Sequence, residues 1–240
     1  MNNFLVVIPA RYKSKRLPGK PLIEIKGVPM LIRTYDRCLQ CVKRNKIIVA
    51  TDHKKILNLC KQKNIKCLMT SKKCLTGTDR VAEVAKKIRA KVYINIQADE
   101  PLLHKNDLKN LIKYAKKNPK EIINGFCDLN NKKMFYDKNT IKVLVNKKND
   151  LLYISRAPVP NNKKNKFEKA WRQVCIYSFP RDKLMKFSSL KKKTKLESIE
   201  DIEILRFLEL GHNVKMLKMS SKSISVDTPK DLRLVRRLLK

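Results

Sequence analysis

Short apolar runs alternate along the chain with stretches of helical periodicity. Leu5 to Ile8 reads as a buried strand, and Met30 to Arg44 spaces its apolar residues as a helix does. Ile47 to Ala50 is a second strand, Lys54 to Lys63 a second helix and Lys66 to Met69 a third strand, which gives the βαβαβ rhythm of a doubly wound sheet. The runs are continuous rather than alternating, so both faces of the sheet are expected to be covered. After them the pattern predicts a helix whose start is marked by Thr78 or Asp79, then a strand from Val92 that runs to Asp99-Glu100-Pro101. A helix over Lys105 to Lys117, a strand over Ile122 to Phe126 and a polar loop over Asn130 to Asn139 follow. Ile141 to Val145 and Leu151 to Ser155 read as a hairpin turning at Asn149-Asp150. Asn161 to Lys169 reads as a mobile loop, Gln173 to Phe179 as a strand, and a helix opens near Leu196. Ile224 to Val226 reads as a last strand before a helix with Thr228 as its cap, Pro229 first and Asp231 third. The expected fold is therefore α/β: a doubly wound, mostly parallel sheet in one domain over residues 1–240, with a hairpin subregion around 125–185.

Composition narrows the setting. At 240 residues and 42% hydrophobic content the chain can bury a sizeable core. No run approaches 18 apolar residues, and Pro9 and Arg11 interrupt the first one, so neither a membrane span nor a signal peptide is predicted. Seven cysteines without a paired framework fit reduced thiols and a cytoplasmic location. Cys38 and Cys41 form a CxxC inside a helical pattern, with no second pair to complete a metal site, and read as helix-face residues. The net charge of +36 invites a nucleic-acid reading. Lysine is spread along the whole chain, however, aromatic content is 6%, and no nucleic-acid module is recognisable, so no specific nucleic-acid partner is expected.

Two places concentrate chemistry. The loop after the first strand carries Arg11, Lys13, Lys15, Arg16 and Lys20, held by Pro9, Pro18, Gly19 and Pro21. A loop at the carboxyl end of a parallel strand lies where open α/β sheets bind ligands, so these cations suit a polyphosphate or, more simply, form a solvated basic loop. Asp99 and Glu100 end another strand, and magnesium is typically held by one or two carboxylates together with phosphate oxygens. Asp99 is accordingly the first candidate metal ligand. Asp52, after the second strand, reads as a helix cap.

Order and spacing say more. Ala10-Arg11, Ser14 and Arg16-Leu17-Pro18-Gly19-Lys20-Pro21-Leu22 resemble the signature loop of the 3-deoxy-manno-octulosonate (Kdo) cytidylyltransferases. Gly77-Thr78-Asp79-Arg80-Val81-Ala82-Glu83, Asn95-Ile96-Gln97-Ala98-Asp99-Glu100-Pro101, Ser155-Arg156 and Val226-Asp227-Thr228-Pro229 are similar to further family motifs, in the same order along nearly the whole chain. The resemblance implies a nucleotidyltransferase of Rossmann-like, glycosyltransferase-A-like fold that couples CTP to a 3-deoxy-sugar acid for surface-glycan synthesis, works as a homodimer and uses Mg2+. It implies that Arg11, Arg16, Lys20 and Asp99 carry the chemistry and that Asp99 and Asp227 bind the metal. Ala10, Arg11, Ser14, Arg16, Lys20, Gly77, Thr78, Arg80 and Gln97 would bind the nucleotide, and Arg156, Gln173, Tyr177 and Glu203 the sugar. The chain departs from the family at Ala98, Gln173, Cys175 and Ile204, where glycine, histidine, glycine and glutamine are usual. Gln173 and Ile204 leave the identity of the sugar acid open, a modified Kdo-like sugar included.

Overall fold

The computed structural model describes residues 2–14 and 16–239; Lys15, one of the five loop cations, lies outside them. In chain order the elements are β1 (Asn2–Ala10), β2 (Glu24–Ile25), β3 (Val28–Pro29), α1 (Met30–Leu39), β4 (Ile47–Thr51), α2 (Lys54–Gln62), β5 (Cys67–Met69) and α3 (Gly77–Lys87). Then come β6 (Ala90–Ile96), α4 (Lys105–Lys117), β7 (Ile122–Leu129), α5 (Lys132–Tyr136), β8 (Lys142–Val145), β9 (Leu151–Ser155) and β10 (Ala170–Pro180). The chain closes with α6 (Arg181–Ser189), α7 (Lys195–Glu200), α8 (Leu205–Glu209), β11 (Val214–Lys218) and α9 (Pro229–Leu238).

Among the described residues nine strands share one sheet, whose main path runs β11-β7-β10-β6-β1-β4-β5, with β8 and β9 attached through β10. β6, β1, β4 and β5 are parallel, as are β7 and β11, while β10 lies antiparallel between β6 and β7. Alternate residues of β1 feed two cores. Val6 and Ile8 pack with α1, α2 and α4 on one face, and Leu5 and Val7 with α3, α6 and α8 on the other. This two-sided burial is why the strands read as unbroken apolar runs. A third cluster, Leu17, Ile25, Met30, Val226, Leu232 and Val235, seats α9 beneath the basic loop.

The carboxyl ends of β1, β4 and β6 share one edge of the sheet. Because β10 is antiparallel and pairs Tyr177 with Asn95, it brings its amino-terminal half, Gln173 and Cys175 included, to the same edge.

Several expectations are corrected. Thr76, not Thr78 or Asp79, caps α3, with Asp79 closing a reciprocal capping box from the third position. His53, not Asp52, caps α2. The polar stretch 130–139 contains α5, capped by Asn131 and anchored by buried Phe135. Residues 161–169 lack regular structure, yet Phe167 packs on Phe135. The helix expected from Leu196 is two helices, interrupted at Asp201, whose φ is 52°. Ile224 to Val226 is no strand; the last strand is β11, whose lysines dilute its apolar signal. Cys38 is buried on α1, and all seven cysteines are free.

Candidate active site

A cleft of about 270 Å³ opens at the shared strand edge, with Arg11, Arg16, Lys20, Gly77, Arg80, Gln97, Asp99, Arg156, Gln173, Tyr177, Glu203 and Asp227 among its lining residues. Ala10, Ser14 and Thr78 do not reach it. Ala10 is buried in the core, the Ser14 hydroxyl accepts from the Leu17 N–H at 3.3 Å within the loop, and Thr78 is buried at the start of α3.

One corner of the cleft is built from charged side chains meeting each other. Lys20 Nζ donates to Asp99 Oδ2 and, at 3.2 Å, to Asp227 Oδ1. Arg16 donates to Asp227 Oδ1 at 2.9 Å and to Asn139 Oδ1 at 3.0 Å. Residues so distant in sequence converge because the Val226 N–H donates to the Asp99 carbonyl at 2.9 Å, while Val226 itself is fully buried. The α9 cap then aims the next residue, with the Asp227 N–H donating to Asp231 Oδ2 at 3.1 Å. Burial pulls the pKa of Lys20 down, but Asp99 and Asp227 more than offset it, and the net shift is upward. Beside this pair the buried Glu100 carboxyl is pushed well above the usual carboxylate range, first by burial and then by repulsion from Asp99 and Asp227.

The basic loop is fixed from below. Gly19, at φ 66°, turns the chain into the single helical turn of Lys20–Leu22, a conformation for which glycine is suited. The Gly19 N–H donates to the Tyr12 carbonyl at 3.1 Å, the Tyr12 N–H to Asp52 Oδ1 at 3.3 Å, and the Tyr12 ring stacks on His53 at 3.8 Å. Asp52, read from sequence as a cap, thus tethers the loop and also pairs with Arg80 at 3.0 Å. Arg80 lines the cleft but donates as well to the Thr70 hydroxyl at 2.5 Å and to the Ser71 carbonyl at 3.3 Å.

The start of α3 is held from the opposite side. Arg206, fully buried, makes two 2.6 Å bonds to Glu197 and reaches Asp79 at 2.9 Å. Glu203 Oε2 accepts from the Thr78 N–H at 3.0 Å and its Oε1 from Gln97 Nε2 at 3.2 Å. A side chain at position 77 would put a Cβ 3.0 Å from Gln97 Nε2, so any larger residue there would push the Gln97 amide aside by a few tenths of an ångström.

The far wall differs in kind. Arg156 Nε donates to the Glu200 carbonyl at 2.5 Å, Nη1 to the Lys138 carbonyl at 3.0 Å and Nη2 to the Asp201 carbonyl at 3.2 Å. Gln173 Nε2 donates to Asn124 Oδ1 at 2.8 Å. Tyr177 is buried, and its phenol is pushed well above its usual pKa by burial and then by Cys175 and Glu203. Ile204 lies in the core packed against the sheet and is not a cleft residue, so its departure from the family pattern alters packing rather than the cleft wall. Sequence reasoning did not find Asn139, Lys193, Asp201 or Ser225 at the site. Lys193 sat within a lysine run and Asp201 among the acids of the helix that opens near Leu196, while nothing local marked Asn139 or Ser225.

A strand-edge cleft that gathers loop cations and paired carboxylates on a mixed α/β sheet defines a nucleotidyltransferase. Residues 5–220 match the family model described as cytidylyltransferase. The 3-deoxy-manno-octulosonate cytidylyltransferase of Escherichia coli is 35% identical over 100% of this chain and 97% of its own length. The mitochondrial 3-deoxy-manno-octulosonate cytidylyltransferase of Arabidopsis thaliana is 33% identical over 98% of this chain and 82% of its own. A solved CMP:2-keto-3-deoxy-manno-octonic acid synthetase complexed with CTP matches with TM-score 0.90 and 34% identity, covering 99% of this chain and 98% of that one. The chain belongs to the 3-deoxy-manno-octulosonate cytidylyltransferase family.

Proposed function

We propose that this protein couples CTP to Kdo, or to a close relative of that 3-deoxy-sugar acid, and releases a CMP-sugar and pyrophosphate for surface-glycan synthesis. The observation that carries the reading is the convergence of Lys20 and Arg16 on Asp99 and Asp227 in a cleft of the family's fold. The sugar's anomeric hydroxyl attacks the α-phosphorus in line and gives up its proton to solvent, the new O–P bond replaces the bond to the β-phosphate, and pyrophosphate leaves. No side chain becomes covalently attached; the chain contributes position and charge. Arg11, Arg16 and Lys20 offset charge on the triphosphate and the leaving pyrophosphate, and Gly77, Arg80 and Gln97 place the nucleotide. Gln173, Tyr177 and Glu203 shape the sugar end, with Arg156 as its frame.

Asp99 and Asp227 are the residues that would hold Mg2+. Among the described residues no cluster of three or more metal-ligating side chains forms, but two carboxylates beside a triphosphate meet the ordinary need of magnesium for oxygen ligands. Buried Glu100 Oε2, which has no hydrogen-bond partner among the described residues, adds an unsatisfied oxygen beside the Asp99 and Asp227 carboxylates, so the donor set fits a cation. When bound, magnesium supplies polarisation of the α-phosphate.

We also place the protein in the cytoplasm as a homodimer. Among the described residues no helix is long and apolar enough to cross a membrane, and exposed Met134, Tyr136 and Leu152 in the 125–185 subregion support a contact between copies there. Gln173 and Cys175, facing the cleft where the family has histidine and glycine, favour a second reading in which the acceptor is a modified sugar acid. Pyrophosphate release measured across four nucleotides and a panel of 3-deoxy-sugar acids tests the proposal. CTP with Kdo is expected to lead. Release with a different nucleotide, or none with any acid as a non-catalytic polyanion-binding protein would show, overturns it.

A further inference from the structure

At the rim of the cleft a carboxylate of the chain itself lies among three cations. Lys193, in the connection between α6 and α7, pairs through Nζ with Asp201 Oδ1, and both residues line the cleft. Asp201 ends α7 in the left-handed conformation and its side chain is 72% exposed. Its main chain is fixed by Arg156, which donates to its carbonyl. Lys193, through its hydrogen bond above all, then Arg156 and Arg11 hold the Asp201 carboxyl below its usual pKa. The rim therefore already favours a carboxylate over a carboxylic acid.

Three of the other cations lining the cleft have firmer engagements. Lys20 bridges two acids, buried Arg80 pairs with Asp52, and all three nitrogens of the Arg156 guanidinium donate to main-chain carbonyls. Exposed ion pairs such as Lys193–Asp201 contribute little to stability, so exchanging Asp201 for another carboxylate at the same ammonium costs little. Lys193 is also an ammonium on a flexible stem, able to follow a ligand as the locked guanidinium of Arg156 is not.

We propose that Lys193 binds the carboxylate of the sugar acid and that Asp201 competes with the substrate for it, so that this pair sets the preference for an acidic sugar. The inference rests on the sugar-acid reading above and adds the residue that recognises the acid.

Pyrophosphate release by the wild type, Lys193→Met and Asp201→Asn, each given CTP with Kdo or its carboxamide, tests it. Asparagine tolerates the left-handed backbone at 201 and removes only the charge. Lys193→Met is expected to raise KM for Kdo about tenfold, as loss of a hydrogen bond to a charged group does, to leave KM for CTP unchanged and to narrow the preference of acid over carboxamide. Asp201→Asn is expected to lower KM for Kdo by about two- to threefold, a change that a merely structural role would not produce. An unchanged KM for Kdo in Lys193→Met, or a raised one in Asp201→Asn, overturns this inference while the wild type remains active. A wild type that releases no pyrophosphate with any acid overturns the reading of the reaction itself.

Discussion

The two ends of the cleft solve different problems. At the corner of Arg16, Lys20, Asp99 and Asp227, side chains hold side chains, and each partner can be exchanged for a phosphate or a cation without unravelling the backbone. At the far wall, Arg156 and Gln173 engage main-chain carbonyls and a buried amide, so they build the wall before they meet a ligand. The same residue types, basic and amide, thus serve exchange at one end and framework at the other. Changes at the corner should cost turnover, and changes at the frame should cost stability.

The sharpest separation is expected from Asp227→Asn. It keeps the shape of the corner and removes half of its paired charge, so turnover should fall on the order of a thousandfold, as when an electrostatic contact to the transition state is lost, while the melting temperature stays near the wild-type value. Pyrophosphate release and a thermal melt read the two quantities. Near-wild-type turnover would remove Asp227 from the corner's chemistry.

Arg206→Met should do the reverse. It strands buried Glu197 and Asp79 without their cation, which costs about 3–5 kcal/mol of stability in chemical denaturation. A loss under about 1 kcal/mol would show that the triad does not hold the start of α3.

Gln173→Leu probes the wall more gently. It leaves Asn124 Oδ1 without its donor in a buried setting and should cost about 1–3 kcal/mol in the same experiment. No change in stability, with KM for the sugar acid raised, would move Gln173 from the frame to the ligand.

The smallest effect belongs to Asn139→Ala, which frees one side of Arg16 at an exposed contact. A rise of about two- to fivefold in KM for CTP with unaltered kcat is expected from the loss of a single exposed hydrogen bond. A fall in kcat of the size seen for the carboxylates would show that Asn139 sets the Arg16–Asp227 geometry.

How much of this was legible follows from what each residue contacts. Strands β1, β4 and β6 were legible because burial on both faces leaves continuous apolar runs. The basic loop and Asp99 were legible because their neighbours in sequence also build the corner. Asp52 was misread because its partners, the Tyr12 N–H and Arg80, are fixed by the parallel pairing of β1 with β4 and by the placement of α3, none of which is local. The break at Asp201 was hidden by helix-forming neighbours. There the chain sends Ile202 and Ile204 to the core and Glu203 to the Thr78 N–H, a set of directions that one continuous helix does not supply. β11 escaped notice because its lysines alternate with apolar residues on a strand that is only half covered. Ile224 to Val226 looked like a strand because Ser225 is flanked by two β-branched apolar residues, but Ile224 and Val226 close the core under the basic loop and Val226 bonds to Asp99 rather than to the sheet.

The account turns on a nucleotide meeting its counter-charges at the Asp99 corner. Pyrophosphate release from CTP and Kdo by the wild type and Asp99→Asn, followed side by side under identical conditions, tests this most directly. The account predicts steady release by the wild type and a rate lower by orders of magnitude in the variant, with the fold intact by circular dichroism. Equal rates in the two proteins would contradict it.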